Sequence, residues 1–417
     1  MNQQASIIPH IIDQHAEEAA FLWLLRSNAV HAPHYDLRDL AKLDDRVEAH
    51  IDGLRIAGDY GWQVSLENMQ AMEPGEIFTA AILALEGSDI ERINQVYATV
   101  EECPEADVGL ISALGWVDSK LLQGKVSGLL NSDKPYWRRV GIAACAVHRV
   151  DPGKYLEQSI ADADVQLRCR ALCTAGELGR VDLLPAILEQ LYHEETTVRF
   201  WAAWAAVLLG NHGSAMDALQ AMIFQDPGSA ERALQLVLRA LKPAGANDLL
   251  KQVALDEERM RLVVSGAGVS GNPYYIPWLI KQMENPQLAR LAGEAFSLIT
   301  GADIAYEDLE TDLPEDFQAG PTENPEDDNV DLDPDEDLPC PDALLIENWW
   351  QRHKQQFVAG KRYLLGKPVT EKHCQTVLKT GTQRQRHAAA MELALMRPEA
   401  VLFETRAVGK KQMRMLS

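Results

Sequence analysis

The feature that most constrains the fold of this chain is a repeat marked by arginine. Six arginines recur at intervals of 30, 31, 33, 29 and 29 residues, namely Arg138, Arg168, Arg199, Arg232, Arg261 and Arg290. An acidic or amide residue precedes each arginine by about five positions, and a run of small apolar residues follows it. Self-similarity at a fixed period of roughly 20–50 residues is the signature of a repeat protein. The sequence therefore predicts an array of similar units.

The units also share a helical pattern. In the clearest of them, residues 183–210, apolar residues recur every three or four positions in each half, which indicates two helices. Gly210 can supply the left-handed turn that ends the second helix. Glycine takes the same place in three other units, at Gly179, Gly271 and Gly301, whereas Arg149 and Pro243 replace it in two. No segment shows sustained period-two alternation, so the predicted fold class is all-α, an α-solenoid of stacked helical hairpins.

The N-terminal part departs from this period. Residues 1–74 are predicted to be a helical N-terminal cap, because the end units of a stack are atypical. One helix is expected over 11–29, and a second begins after Asp36, a suitable N-cap residue. The second helix carries an apolar stripe of Leu37, Leu40, Leu43, Val47, Ile51 and Leu54. The repeat array itself is predicted to span residues 75–301.

The part after residue 301 changes composition. Residues 307–342 contain 16 acidic residues and no lysine or arginine. Such a segment cannot bury enough apolar surface to offset its ordering entropy, so residues 302–342 are predicted to be a disordered acidic linker. Residues 307–342 carry −16 of the formal net charge of −23, which leaves −7 for the remainder of the chain. Residues 343–417 are predicted to form a C-terminal helical module, with helices over 343–357 and 384–396.

Charge and composition exclude several function classes. An acidic chain is unsuited to following a phosphate backbone, so no nucleic-acid partner is expected. The longest apolar runs are too short to span a membrane, and MNQQASIIPH carries no basic residue before its apolar stretch, which disfavours a signal peptide. The six cysteines read as reduced thiols. We therefore expect a cytoplasmic protein.

No residue pattern points to a reaction. The sequence lacks a nucleophile elbow, a phosphate-binding glycine loop and an HExxH motif. His31 and His34 could offer two metal ligands, but no further ligand at zinc-site spacing accompanies them. Cys169 and Cys173 share a helix face inside an apolar run and are expected to be core thiols. We accordingly predict no catalytic residue, no metal and no cofactor.

Two groups of residues could bind a partner. The arginine ladder could hold an anionic protein, but its fixed place in every unit favours a structural role in which the upstream acid caps a helix and accepts hydrogen bonds from an arginine. At the C-terminal end, adjacent Trp349 and Trp350 cannot both face one thin core, and Arg352, Arg384 and Arg386 follow them. Tryptophan and arginine are enriched in interface hot spots. These five residues are the predicted partner-binding group, with a small domain core as the alternative.

The repeats resemble short HEAT repeats, such as those of phycobilisome lyase HEAT-like proteins. A resemblance over nearly the whole chain rests on DQHAEEAAFLWLLRSNAV (13–30), GKRYLLGKP (360–368), QRQRHAAAMELAL (383–395) and LFETRAVG (402–409). These segments are similar to an uncharacterised bacterial HEAT-repeat family whose members are commonly encoded beside type VI secretion components, particularly spike-tip proteins of the PAAR type. That family has no established catalytic residues to transfer.

The resemblance implies a non-enzymatic, protein-binding scaffold, an adaptor or chaperone for a type VI effector or PAAR-type spike protein. Two alternatives remain open from the sequence. One is an enzyme of the HEAT-like lyase or base-excision kind, and the other is an immunity or regulatory protein that neutralises a toxin.

Overall fold

The computed structural model describes residues 7–314, 317, 319–320, 333–358 and 360–417. Helices dominate it, as the sequence predicts. The α-helices, numbered α1 to α22 in chain order, are Pro9–Ala29, Leu37–Ala57, Asp59–Asn68, Pro74–Gly87, Ile90–Glu102, Asp107–Trp116, Lys125–Leu130, Pro135–His148, Lys154–Ile160, Val165–Glu177, Leu184–Glu189, Thr196–Leu208, Ser214–Gln225, Pro227–Ala240, Pro243–Val253, Met260–Ser270, Ile276–Gln282, Ala289–Thr300, Ala343–His353, Glu371–Thr380, Gln383–Met396 and Gly409–Leu416.

Shorter elements connect these helices. The 3-10 helices are Met69–Ala71, Pro104–Ala106, Ser119–Leu122, Val181–Leu183, Gln190–Tyr192, Glu257–Arg259, Pro273–Tyr275 and Lys354–Gln356. Strands β1 (Tyr363–Leu364) and β2 (Lys367–Pro368) pair antiparallel, with Tyr363 opposite Pro368. Left-handed backbone at Leu365 (φ 47°) and Gly366 (φ 76°) makes the tight turn between them. The sequence analysis predicted no strand here, because two-residue strands are too short to show alternation.

The chain forms two compact units. The first contains residues up to 205 together with 382–384 and 399–417, and the second contains 206–381 and 385–398. These units differ from the predicted domains, because the proposed C-terminal module 343–417 is divided between them. The division reflects hydrogen bonds that tie late segments of the chain to helix ends in each unit.

In the first unit, helices one to three positions apart in chain order pack side by side. α1 packs on α2 and α4, α4 packs on α6, α6 on α8, and α8 on α10. Phe78 lies at the centre of this core, with its ring 5.6 Å from that of Trp23 and 5.4 Å from that of Trp116. The predicted N-terminal helices are confirmed: Asp36 accepts hydrogen bonds from the amides of Arg38 and Asp39, and every residue of the predicted α2 stripe is buried. Burial of that stripe against α1 is what holds α2 in place.

In the second unit, α14 packs on α16, and α16 on α18. The last contact is close, since a Cβ added at Gly268 would lie 2.8 Å from the Cα of Ala295. The predicted left-handed helix ends are present at all four glycines, with φ between 65° and 90° at Gly179, Gly210, Gly271 and Gly301. α17 also contacts α19, which brings the tryptophan pair into this unit.

Candidate functional site

The six repeat arginines fall on six different helices, namely α8, α10, α12, α14, α16 and α18. Each lies within the first two turns of its helix, where the preceding loop is within reach of its side chain. The predicted register of the repeat therefore agrees with the positions of the helices along the chain.

In the first three of these helices the guanidinium group bonds backbone carbonyls of its own loop. Arg138 donates to the carbonyls of residues 132 and 133 at 2.9 and 3.0 Å, and Arg199 donates to those of residues 193 and 194 at 2.8 and 2.6 Å. Arg168 donates through Nε to the carbonyl of Asp162 at 2.8 Å. The carboxylate of Asp162 in turn accepts from Arg138 at 2.7 Å. These contacts join each loop to its helix and, at Asp162, one repeat to the next.

Arg261 and Arg290, the last two arginines of the repeat, bind an acidic segment instead. Arg261 on α16 forms a two-pronged ion pair with the carboxylate of Asp335, at 2.8 and 2.9 Å. Arg290 on α18 bonds the carboxylate of Asp333 at 2.6 Å and the backbone carbonyl of Asp335 at 3.0 Å. Two neighbouring repeat helices thus hold a segment by its side chains and by its backbone. We call Arg261, Arg290 and their surroundings on α16 and α18 the arginine clamp, and residues 333–338 the docked segment.

The docked segment is folded as a compact turn. The amide of Asp335 donates to the Asp333 carboxylate at 2.9 Å, and the amide of Leu338 donates to the carbonyl of Asp335 at 2.9 Å. Asp335 is 5% exposed and Leu338 is 7% exposed. A carboxylate buried to this degree requires a cationic partner, because it has lost its hydration. The Arg261 guanidinium supplies that partner.

This arrangement corrects the prediction of a disordered linker over 302–342, as far as the described residues allow. Thr311 donates its amide to the carbonyl of Cys340 at 2.8 Å, and Asp342 donates to that of Leu309 at 2.8 Å. The two ends of the acidic region therefore pair with each other and close a loop, so they do not form an extended tether. Residues 321–332, at the centre of the predicted linker, lie outside the described residues.

The electrostatics of the clamp are asymmetric. Hydrogen bonds and attraction from the Asp335 carboxylate outweigh burial and raise the pKa of Arg261 above its ordinary value. The side chain of Arg261 is 44% exposed, whereas that of Arg290 is only 4% exposed. The buried Nε of Arg290 finds no hydrogen-bond acceptor among the described residues. Arg261 is thus the accessible arginine of the clamp. Arg290 is the buried arginine, and its Nε–H group can still donate a hydrogen bond.

The predicted partner-binding group at the C-terminal end has a different environment. The indoles of Trp349 and Trp350 are each 8% exposed. Trp349 donates to Glu307 at 2.7 Å and stacks on His353 at 4.0 Å, while Trp350 lies 5.3 Å from Phe357. Neighbouring aromatic residues therefore give both rings a core. These tryptophans do not form an exposed aromatic pair, which corrects the premise of the prediction.

The three arginines of that group do not extend an aromatic surface either. Arg386 is fully buried and donates to the carbonyl of Leu378 at 2.8 Å. Arg384 donates to the carbonyl of His31 at 2.8 Å, and the exposed Arg352 donates to that of Asn348 at 3.1 Å. The structure thus gives these arginines separate backbone partners and does not gather them into one site.

The first unit contains a second charged feature that sequence reasoning missed. Residues 399–409, here called the strap, run along the ends of α10, α8 and α1. Leu402 donates its amide to the carbonyl of Glu177 at 2.8 Å and accepts from Arg149 at 2.7 Å. Arg26 donates to the carbonyl of Arg406 at 2.7 Å, and the amide of Gly409 donates to Asp44 at 2.6 Å. The strap thereby satisfies polar groups that helix ends leave open.

An ion network anchors the strap, with Glu177 and Glu404 buried, Arg149 largely buried and Arg406 exposed. Glu404 lies 3.1 Å from Arg149 and 2.9 Å from Arg406, and Arg149 also reaches Glu177 at 3.6 Å. Burial alone would raise the pKa of Glu404, but the attraction of Arg406 and Arg149 outweighs it and lowers the pKa to about 2. Glu404 is therefore ionised at neutral pH. The only sequence signal for this network was Arg149, which takes the place of a glycine in the repeat.

The remaining candidates show no reactive arrangement. Cys169 and Cys173 are buried, as predicted, and burial raises the pKa of the Cys173 thiol to about 12. Among the described residues, no group of three or more histidine, cysteine or acidic side chains could hold a metal ion. His34 lines an open groove of about 360 Å³ together with Tyr35, Asp39, Lys42, Leu43 and Arg46. No helix in the described part of the chain is both long and apolar enough to cross a membrane.

Comparison with known proteins identifies no relative of this chain. No family model, curated protein or solved structure matches it.

Proposed function

We propose that this protein is a non-enzymatic scaffold that binds another protein, built as an α-solenoid of stacked helical hairpins. The observation that carries the proposal is the arginine clamp. Two successive repeat helices hold a short acidic segment through a two-pronged ion pair, a second ion pair and a backbone hydrogen bond. Contacts to both side chains and backbone are the means by which repeat proteins recognise extended segments.

The helix order supports the solenoid part of the proposal. Alternate helices contact one another in each unit, α4 to α10 in the first and α14 to α18 in the second. Each of these hairpins buries its apolar face on its neighbours, which is the way a solenoid gains stability. A row of equivalent helices presents a row of equivalent side chains, and a scaffold uses such a row for binding.

The sequence resemblance supplies the identity of the proposed partner. We propose an effector or PAAR-type spike protein of a type VI secretion system, for which this chain would be an adaptor or chaperone in the cytoplasm. The described residues contain no cluster that favours the lyase or base-excision alternative, and the toxin-neutralising alternative shares the same binding chemistry.

Co-purification tests the proposal. The full chain, tagged at one end, is expressed together with each neighbouring spike and effector gene, and the affinity eluate is then analysed by size-exclusion chromatography. We expect one neighbour to co-elute with the chain at fixed stoichiometry. If the chain elutes alone with every neighbour expressed, the proposed type VI partner is wrong.

A further inference from the structure

We propose that the arginine clamp is a binding site for an extended acidic segment of a partner protein, and that the docked segment is its built-in occupant, which the partner displaces. The inference rests on the proposed scaffold function and names the chemistry that the scaffold would recognise. Arg261 and Arg290 differ from Arg138, Arg168 and Arg199 in the segment that they bind.

The earlier arginines bind within the repeat array, and Arg138 also pairs with the Asp162 carboxylate of the next repeat. Arg138, Arg168 and Arg199 each donate to carbonyls of their own loops, only five or six residues away. Arg261 and Arg290 instead reach 74 and 45 residues along the chain to Asp335. Arg261 also donates to the carbonyl of Gln287 at 3.0 Å. The carboxylates that both arginines bind nevertheless come from outside the repeat array, so the same guanidinium groups can bind an acidic segment of another chain.

The chemistry of the clamp selects carboxylates at a defined spacing. Arg261 presents a planar pair of donors to one carboxylate, and Arg290 binds the carboxylate two residues earlier in the sequence. Arginine is suited to this task because its fork of N–H groups matches the two oxygens of a carboxylate. Recognition of Asp-x-Asp by two arginines from adjacent helices is therefore a specific arrangement and not a diffuse positive patch.

The fit of the built-in occupant is incomplete, which makes exchange feasible. The Nε of Arg290 is buried without an acceptor among the described residues, although a buried donor normally has one. The Arg261 side chain remains 44% exposed beside it. A partner segment that also satisfied Nε would gain a contact that the docked segment lacks, and it could approach through Arg261.

The test uses the docked segment itself as the probe. A fluorescein-labelled peptide DPDEDLP, which has the sequence of residues 333–339, is titrated with the full chain and followed by fluorescence anisotropy. In the unmodified chain the clamp is already occupied from a high effective concentration, which weakens the apparent affinity. The variant D333N/D335N removes both carboxylate anchors and leaves the two arginines and the backbone hydrogen bond from Arg290 to residue 335 intact.

We expect D333N/D335N to bind the peptide at least tenfold more tightly than the unmodified chain does. The matched control is E310Q/E336Q, which removes two negative charges from exposed positions near the clamp and should bind like the unmodified chain. Adding Arg261→Ala to D333N/D335N should abolish the gain. Arg261 is chosen over Arg290 because its partial exposure makes loss of the fold less of a concern, and circular dichroism verifies that the helices persist.

Two results would overturn the inference: equal affinity for D333N/D335N and E310Q/E336Q, or undiminished binding of a peptide with asparagine at its first and third positions. Either result leaves the scaffold function standing, since a neighbour protein could still co-purify through another surface. Conversely, tight peptide binding without any co-purifying neighbour would support the clamp and remove the assigned partner.

Discussion

Arg149 combines an unfavourable backbone conformation with a central place in the ion network of the first unit. Its φ of +55° places it in the left-handed region, which costs a residue with a side chain about 1 kcal/mol relative to glycine. Its guanidinium lies between the carboxylates of Glu404 and Glu177. The side chain explains why an arginine stands where most repeats have glycine.

Substitutions of Arg149 separate these two effects. We expect Arg149→Ala to lower the free energy of unfolding by about 3 kcal/mol, because it leaves two buried carboxylates without this partner. Arg149→Gly should be about 1 kcal/mol less damaging, because glycine relieves the backbone strain. Urea denaturation of both variants measures the difference. If Arg149→Gly were as stable as the unmodified chain, the ion pairs of Arg149 would contribute no more than the backbone strain of about 1 kcal/mol that glycine relieves.

Glu404 makes the stability of the strap depend on pH. Its pKa falls from an ordinary value of 4.5 to about 2 in the folded protein. A carboxyl group with a lowered pKa stabilises the fold fully above its unfolded pKa, and this contribution is lost as the pH falls through the folded value. The shift corresponds to roughly 3 kcal/mol.

The variant Glu404→Gln tests this linkage. Its unfolding free energy should lie below that of the unmodified chain at pH 7, and the gap should shrink steadily between about pH 4.5 and pH 2. Denaturation curves at a series of pH values measure the gap. A gap that stayed constant across this range would show that the contacts of the strap do not lower the pKa of Glu404.

At the scale of secondary-structure elements, the glycines that end the repeat helices also leave room for other segments. Gly301 ends α18 with φ at 76°, and a Cβ added there would lie 2.7 Å from the backbone carbon of Leu365 in the β1–β2 turn. The turn approaches so closely because its amides donate to the carbonyls of Leu298 and Ile299, at 2.7 and 3.0 Å. These carbonyls lie in the last turn of α18, where no intrahelical donor is available.

A pair of glycine substitutions measures how much the close packing of the β1–β2 turn on α18 contributes to the free energy of unfolding. Gly301→Ala should lower the unfolding free energy by about 2–4 kcal/mol, because it adds a steric clash to the backbone strain. Gly360→Ala is the matched control, since Gly360 also has a positive φ, of 80°, but has nothing within 4 Å of the added carbon. It should cost only about 1 kcal/mol. Equal losses in thermal denaturation would mean that the turn does not pack against α18.

The predictability of these elements follows the range of the contacts that form them. The Asp36 cap, the α2 stripe and the Gly210 turn were predicted because each depends on residues within a few positions of one another. The strap could not be predicted, because Leu402 and Arg149 are 253 residues apart and no local sequence pattern indicates that they form a hydrogen bond. For the same reason the sequence left open whether Trp349 is buried, since its neighbour Phe296 belongs to α18.

The candidate site shows the same limit. Arg261 and Arg290 were identified from the repeat period alone, and the acidic region was identified from composition. Their pairing was not predicted, because a highly charged segment gives no indication of which of its 16 acidic residues meets which arginine. The composition argument predicted disorder because it did not count the ordering effect of two specific ion pairs.

At the scale of the whole molecule, the account depends on whether the acidic region is held by the repeat helices in solution. A scaffold whose binding site carries its own occupant can remain closed until a partner arrives, whereas a scaffold with a free acidic tail has no such control. The clamp contact decides between these two descriptions.

A double-mutant cycle on Arg261 and Asp335 tests that contact most directly. The unfolding free energy is measured for the unmodified chain, Arg261→Ala, Asp335→Ala and the double variant. Because the two side chains form a two-pronged ion pair, we expect the two losses to be coupled by about 1–3 kcal/mol. Losses that add to within about 0.3 kcal/mol would show that the two side chains do not meet, and the clamp would then be contradicted.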